Sequence, residues 1–121
     1  MTLLLRPELK PDQAPMLTLV MALSVAEALR EMTGLDAQIK WPNDIVVNGK
    51  KVCGILTEMR AEVGYIDHVA IGAGINVNRK EFPEEIRGMA TSLVLECGKT
   101  FSREEILAGI LEHFQKDYDR L

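Results

Sequence analysis

Any chemistry in this chain would most plainly turn on Lys51, which stands in Lys50-Lys51-Val52-Cys53-Gly54-Ile55-Leu56. Strand alternation puts Lys51, Cys53 and Ile55 on one face, and Lys50, Val52, Gly54 and Leu56 on the other. A lysine on a face with two residues that would otherwise pack inside has two readings. It snorkels at a sheet edge, or it points at an anion. Its ammonium is a compact charge suited to phosphate oxygens. Gly54 would let a flat ligand approach the backbone closely.

A second group is Lys40-Trp41-Pro42-Asn43-Asp44. Proline fixes its own φ and pushes Trp41 towards an extended conformation. Asn43 and Asp44 then fall in a turn between strands, where short polar side chains bond neighbouring amides. That pattern is either an Asx turn beside a packed tryptophan or a loop that carries binding residues. A third group, Gly72-Ala73-Gly74-Ile75-Asn76-Val77-Asn78, is not a dinucleotide fingerprint, because the third glycine and the following helix are missing. Its glycines mark either a bulge with asparagine turns or a wall for a planar ligand, with Asn76 supplying an amide. His68 and His113 have no cysteine or carboxylate at metal-ligand spacing and read as structural or exposed. Glu58 takes no role. The run Arg79 to Arg87 mixes signs and reads as a solvated segment.

The elements that must hold these groups follow from periodicity. Thr2 to Arg6 is a short apolar run stopped by Pro7, the look of a buried strand. Met16, Leu19, Val20, Leu23, Ala26 and Leu29 recur at helical spacing, with Leu17, Met21 and Val25 widening the stripe. A helix over 14–32 results, with Pro15 in its first turn and Gly34 past its end. Residues 37–41 alternate as a strand. Asp44 to Val47 is another, Asn48-Gly49 is a two-residue hairpin signal, and Lys50 to Met59 returns. Residues 66–77 form a further strand after a turn at Glu62-Val63-Gly64. A helical turn near Pro83, a short apolar piece at Ala90–Leu95 and a helix over 102–119 complete the chain. Ser102 and Glu105 at the last helix's start form a capping box. The order predicts an α+β fold: a mixed, mostly antiparallel sheet with helices on one face. The opposite face, bearing Lys51, is expected to be open and to hold the ligand cleft.

With 121 residues, 47% of them apolar and 26% charged, there is room for one domain with one core. The net charge of -4 argues against a broad electrostatic grip on nucleic acid. Thr18 and Ser24 interrupt the longest apolar stretch, which is too short to span a bilayer. The first residues lack the pattern of a signal peptide. Cys53 and Cys97 read as reduced, packed thiols, and the expected location is cytoplasmic.

In this order and at these separations, Lys40-Trp41-Pro42-Asn43-Asp44, Gly49 to Glu58, Gly72 to Asn78, and Ala90-Thr91-Ser92-Leu93 together resemble the biotin protein ligases. Leu3-Leu4-Leu5-Arg6-Pro7 looks like that family's strand before its long helix. The resemblance implies two steps. Biotin's carboxylate attacks the α-phosphate of Mg-ATP, giving biotinyl-adenylate and pyrophosphate. A lysine of a biotin carboxyl carrier domain then takes the biotin as an amide. By that resemblance Lys51 is the cation facing the phosphate, and Asp44 orients the site by pairing with a lysine or with the metal's shell. Trp41, Lys51, Gly54 and Ile55 would line the biotin slot, and Asn43 and Asn76 would stand on the nucleotide side. No residue is assigned as a metal ligand. ATP with Mg2+ and biotin are the implied small molecules. The carrier domain is the implied partner, with no nucleic acid and no membrane, and a homodimer is compatible with the family.

A Gly-Arg-Gly-Arg-x-Gly-Arg-like loop precedes the first strand in that family and a small barrel follows its last helix. Neither pattern occurs within residues 1–121. The expectation is a partial catalytic domain, truncated at its N-terminus, with no DNA-binding domain and no C-terminal barrel. By itself such a chain should bind biotin weakly and leave a carrier unlabelled. Two alternatives stand beside this reading. A lipoate protein ligase shares the Asn-Asp and lysine-bearing strand, but carries a Ser-Gly-Ser/Ala pattern where this chain has Cys53-Gly54-Ile55-Leu56. A non-catalytic biotin-binding remnant is the other.

Overall fold

The computed structural model describes residues 1–120. Strands β1 (Thr2–Leu5), β2 (Gln38–Lys40), β3 (Asp44–Val47), β4 (Lys50–Glu62) and β5 (Tyr65–Ile75) form one sheet in the order β1-β5-β4-β3-β2. Every neighbouring pair is antiparallel. Among the described residues, parallel pairing is confined to a single bridge between Lys51 and Ala90. Helices α1 (Pro15–Thr33), α2 (Leu93–Cys97) and α3 (Arg103–Asp119) complete the fold.

Local chemistry explains the connections. Asn48 and Gly49 adopt φ of 52° and 76°, the left-handed pair that a two-residue hairpin turn needs. Gly34, at φ 74°, ends α1 with its amide donating to the Arg30 carbonyl. Ser102 caps α3 by accepting from the Glu105 amide at 3.2 Å. The reciprocal half of the expected capping box, from the Ser102 amide to the Glu105 carboxylate, is not formed, and the serine hydroxyl donates to Glu104.

Helix α1 lies on the sheet through Leu17, Met21, Val25 and Leu29, all fully buried. The expected stripe is thus displaced by about one position: Met16, Leu19 and Leu23 face outward. The extra leucines blur the period, and the sheet selects one row. The other side of α1 is small, with Ala22, Ser24, Ala26 and Ala28 buried, so α3 approaches closely. Gly109 of α3 leaves space for Met32, whose sulfur would lie 2.3 Å from a Cβ at that position.

Strand β1 is an edge strand rather than a buried one. Leu3 and Leu5 pack against the core while Leu4 stands 62% exposed on the other face. A further irregularity shapes the site. Ile45 pairs with Cys53 and Val46 with Lys51, so Val52 has no partner on β3. This bulge buries both Val52 and Cys53 against the helices, and it shifts the alternation of every β4 residue before it by one.

Candidate functional site

Four residues stand in register across the open face: Lys40 on β2, Asp44 on β3, Gly54 on β4 and Gly74 on β5. Directly paired residues of antiparallel strands share a face. The neighbouring Ile45–Cys53 pair therefore faces the helices, and this row faces away from them. The next row joins Leu56 to Gly72, and beyond it Glu58 meets Ala70. Gly54, Gly72, Gly74 and Ala70 make a low floor, and nothing lies within 4 Å of a Cβ built on Gly74. Leu56 and Leu4 stand above it, both mostly exposed.

The bulge determines where Lys51 goes. Alternation alone places it with Cys53 and Ile55; the structure places it on the opposite side, with Gly54 and Asp44. Residue types cannot reveal a bulge, since Val52 and Cys53 are both ordinary strand residues. The Lys51 side chain lies back over Gly54, with Cε and Nζ each 2.9 Å from where a Cβ of residue 54 would be. Its Nζ is 3.3 Å from Asp44 Oδ1. Both partners are partly exposed, so the pair adds little stability. Its effect is to orient the ammonium. The backbone of Lys51 is clasped as well: its amide donates to the Met89 carbonyl at 2.8 Å, and its carbonyl accepts from the Thr91 amide at 2.9 Å.

That clasp carries residues 79–90 over the end of the sheet. Asn76 anchors the segment by donating from Nδ2 to the Thr91 carbonyl at 3.2 Å. The buried Ser92 donates to the Arg79 carbonyl, and Asn78 exchanges hydrogen bonds with the backbone of Phe101. The result is a cleft of about 410 Å³ lined by Lys40, Asp44, Lys51 and Asn76 on one side and Arg79, Phe82, Ile86 and Met89 on the other. The Arg79 guanidinium lies 4.5 Å from the Phe82 ring centroid, and its Nε donates to the Glu81 carbonyl. Three cations face one carboxylate, beside apolar walls. Such a cleft suits an anion joined to a flat, apolar group.

The segment 79–87, expected to be solvated, thus forms a wall. Its charges hid Phe82, Ile86 and Met89, which recur at i, i+4 and i+7. Lys40 was legible in the alternation of β2 and the hairpin register, yet went unassigned.

The remaining predicted residues fall elsewhere. Trp41 is 71% exposed rather than packed, and its peptide with Pro42 is cis. With Asn43, Pro15, Leu19 and Leu56 it lines a separate groove of about 290 Å³, beside the open edge of β4. The Asn43 carbonyl accepts the Ile55 amide at 2.9 Å. The Ile55 side chain is buried among the core residues and lies at the bottom of this groove, on the helix side of the sheet. Lys51, Asp44, Gly54 and Asn76 are brought together. Trp41, Asn43 and Ile55 stand apart from them. Beneath the site, burial pushes the Cys53 thiol up to about 12, which makes it a packing group and not a nucleophile. Neither cysteine is in a disulfide.

Comparison with known proteins identifies the family. The model of the biotin/lipoate A/B protein ligase family matches residues 1–76, and the chain belongs to that family. Its curated relatives include biotin ligases. It is 45% identical over 120 residues to the bifunctional ligase/repressor BirA of Bacillus subtilis, an alignment covering 98% of this chain and 37% of that protein. It is 42% identical over 78 residues to the biotin–[acetyl-CoA-carboxylase] ligase of Paracoccus denitrificans, covering 63% of this chain and 32% of the relative. The Aquifex aeolicus biotin protein ligase in complex with biotin and ATP superposes with a TM-score of 0.81 at 38% identity, over 98% of this chain and 50% of the other. The chain therefore spans about a third to a half of the length of these relatives. Among the described residues, no helix is long and apolar enough to cross a membrane.

Proposed function

We propose that the chain carries the adenylate-forming half-site of an ATP-dependent biotin–protein ligase. The arrangement of Lys51 over Gly54, held by Asp44 at 3.3 Å, carries this reading. Charge builds on the α-phosphoryl oxygens as a carboxylate oxygen of biotin bonds to phosphorus and pyrophosphate leaves. A preorganised cation lowers the cost of that charge. In the second step an amine of a carrier lysine bonds to the acyl carbon, and AMP departs with the electron pair. The same ammonium stabilises the leaving phosphate.

In this assignment Lys51 is the catalytic cation and Asp44 its positioning partner. The glycine floor at Gly54 receives biotin, and the groove of Trp41, Asn43 and Ile55 lies apart from it beyond Leu56. Asn76 stands on the nucleotide side, and Phe82, Ile86 and Met89 supply the apolar wall for a base. Mg2+ would arrive with the triphosphate, which it normally holds with one or two carboxylates and water. Asp44 is the carboxylate in the cleft that fits its shell. The partner proposed for transfer is a biotin carboxyl carrier domain.

The test is pyrophosphate release by the protein joined to a Gly-Arg-Gly-Arg-x-Gly-Arg-containing segment from a relative ahead of Met1, on mixing with biotin and Mg-ATP, alongside lipoate as the competing acid. Lys51→Ala is expected to lower the rate about a hundredfold, the scale of removing one preorganised donor. Lys50→Ala, on the far side of the strand, should change it far less. Equal losses from both substitutions would mean that Lys51 only snorkels, and faster turnover of lipoate would reassign the substrate.

A further inference from the structure

The cleft holds three cations, and the structure distinguishes them by what already engages them. Lys51 has Asp44 at 3.3 Å. Arg79 is fastened to the Glu81 carbonyl and laid on Phe82. Lys40 lines the same cleft, is exposed, and has no carboxylate within ion-pair distance among the described residues. Its position is fixed by register, because it pairs with Asp44, which pairs in turn with Gly54. The backbone of Lys40 therefore stands two strand spacings, about 10 Å, from that of Gly54, over which Lys51 lies. Asp44 stands between the two lysines and draws only Lys51 into contact.

We infer that Lys40 binds the β- and γ-phosphates of the nucleotide, so that the two lysines divide the triphosphate between them. This rests on the reading of the cleft as the adenylate site. Lys51, drawn inward over the glycine floor, faces the α-phosphate where the bond is made. Lys40, on the edge strand and uncompensated, meets the end that departs as pyrophosphate. A carboxylate between two ammonium groups keeps them spaced along an extended polyanion instead of letting both settle on one phosphate. Lysine suits the outer position because its strongly hydrated charge follows a departing group without a fixed bidentate geometry.

The assignment predicts a dissociation between two ligands that differ only beyond the α-phosphate. Titration calorimetry of the whole chain with Mg-ATP and with biotinyl-5′-AMP supplies both measurements without requiring turnover. Lys40→Ala should weaken Mg-ATP binding about tenfold or more, the scale of a charge-assisted contact. It should leave biotinyl-5′-AMP binding and the thermal midpoint unchanged, and Lys40→Arg should restore most of the ATP affinity. Lys51→Ala should weaken both ligands. Equal weakening of both by Lys40→Ala would place Lys40 at the α-phosphate or in the fold, and no weakening of either would make it a solvated surface residue. Both results overturn the assignment. Failure of the unsubstituted chain to bind either ligand would overturn the reading of the cleft itself, and the assignment with it.

Discussion

A methyl group at position 54 would occupy the space in which the Lys51 ammonium lies, at 2.9 Å from both Cε and Nζ. The lysine tip can swing away, so Gly54→Ala should leave the fold nearly intact while displacing the charge from the cleft floor. The expected outcome is a fall of at least about tenfold in pyrophosphate release, because the cation is no longer preorganised. The thermal midpoint should move by no more than a few degrees, the scale of a loss near 1 kcal/mol. Comparable collapse of rate and midpoint would show Gly54 to be needed by the backbone instead. At this scale the sequence was partly readable. The importance of Lys51, Asp44 and Gly54 showed in their types and spacing. Their shared face did not, because it depends on Val52 slipping out of register with β3. Only the competition among β3, β5 and the 89–91 segment for the edges of β4 decides that. Arg79 and Phe82 were hidden for another reason: a charged run without a long element shows nothing of what tertiary contacts will do with it.

Among the elements, the contact of α1 with α3 has its own titration behaviour. Asp117 is buried and accepts a hydrogen bond from the Ser24 hydroxyl at 2.9 Å. Glu27 of α1 lies beside it with Oε1 buried and unpartnered. His113 of α3 donates to or accepts from Glu31 at 2.9 Å, and Arg120 lies near enough to offset part of the negative charge. The hydrogen bond to Asp117, then burial, raise the Glu27 pKa above its ordinary 4.5. The folded chain thus holds a proton at Glu27 over a pH range in which the unfolded chain has released it. Stability from this group is full below about 4.5 and is lost as pH rises through the raised value. Glu27→Gln should therefore raise the thermal midpoint at pH 7 and flatten its fall between mildly acidic and neutral pH. An unchanged profile would mean that Glu27 is charged in the fold. The sequence showed both helices and nearly their ends, since Pro15, Gly34 and Ser102 are local signals. It did not show this pairing, because two carboxylates on different helices announce nothing until α1 and α3 are brought together.

Taken whole, the molecule has a closed side and an open one. Helices cover Cys53 completely, and its thiol is pushed up to about 12. Iodoacetamide at pH 8 should leave Cys53 unmodified in the folded chain and alkylate it promptly in denaturant. Cys97, half-buried beside the Thr33 carbonyl, should react at an intermediate rate. Rapid native labelling of Cys53 would contradict the packing of α1 on the sheet. The α+β layering was legible from periodicity alone, since the hairpin at Asn48-Gly49 and the two amphipathic helices leave few arrangements. That the free face would carry a second wall was not, because residues 79–90 reach it through long-range bonds made by Lys51, Asn76 and Ser92.

Those bonds have a use as a clock. The Lys51 amide, sealed by the Met89 carbonyl, and the Thr91 amide, sealed by Lys51 itself, can exchange their hydrogens for deuterium only when the segment lifts from the strand. The two positions thus time how often the cleft opens, at the residue whose charge defines it. A nucleotide seated against both walls should slow these two amides together, while leaving those of α3 at their own pace.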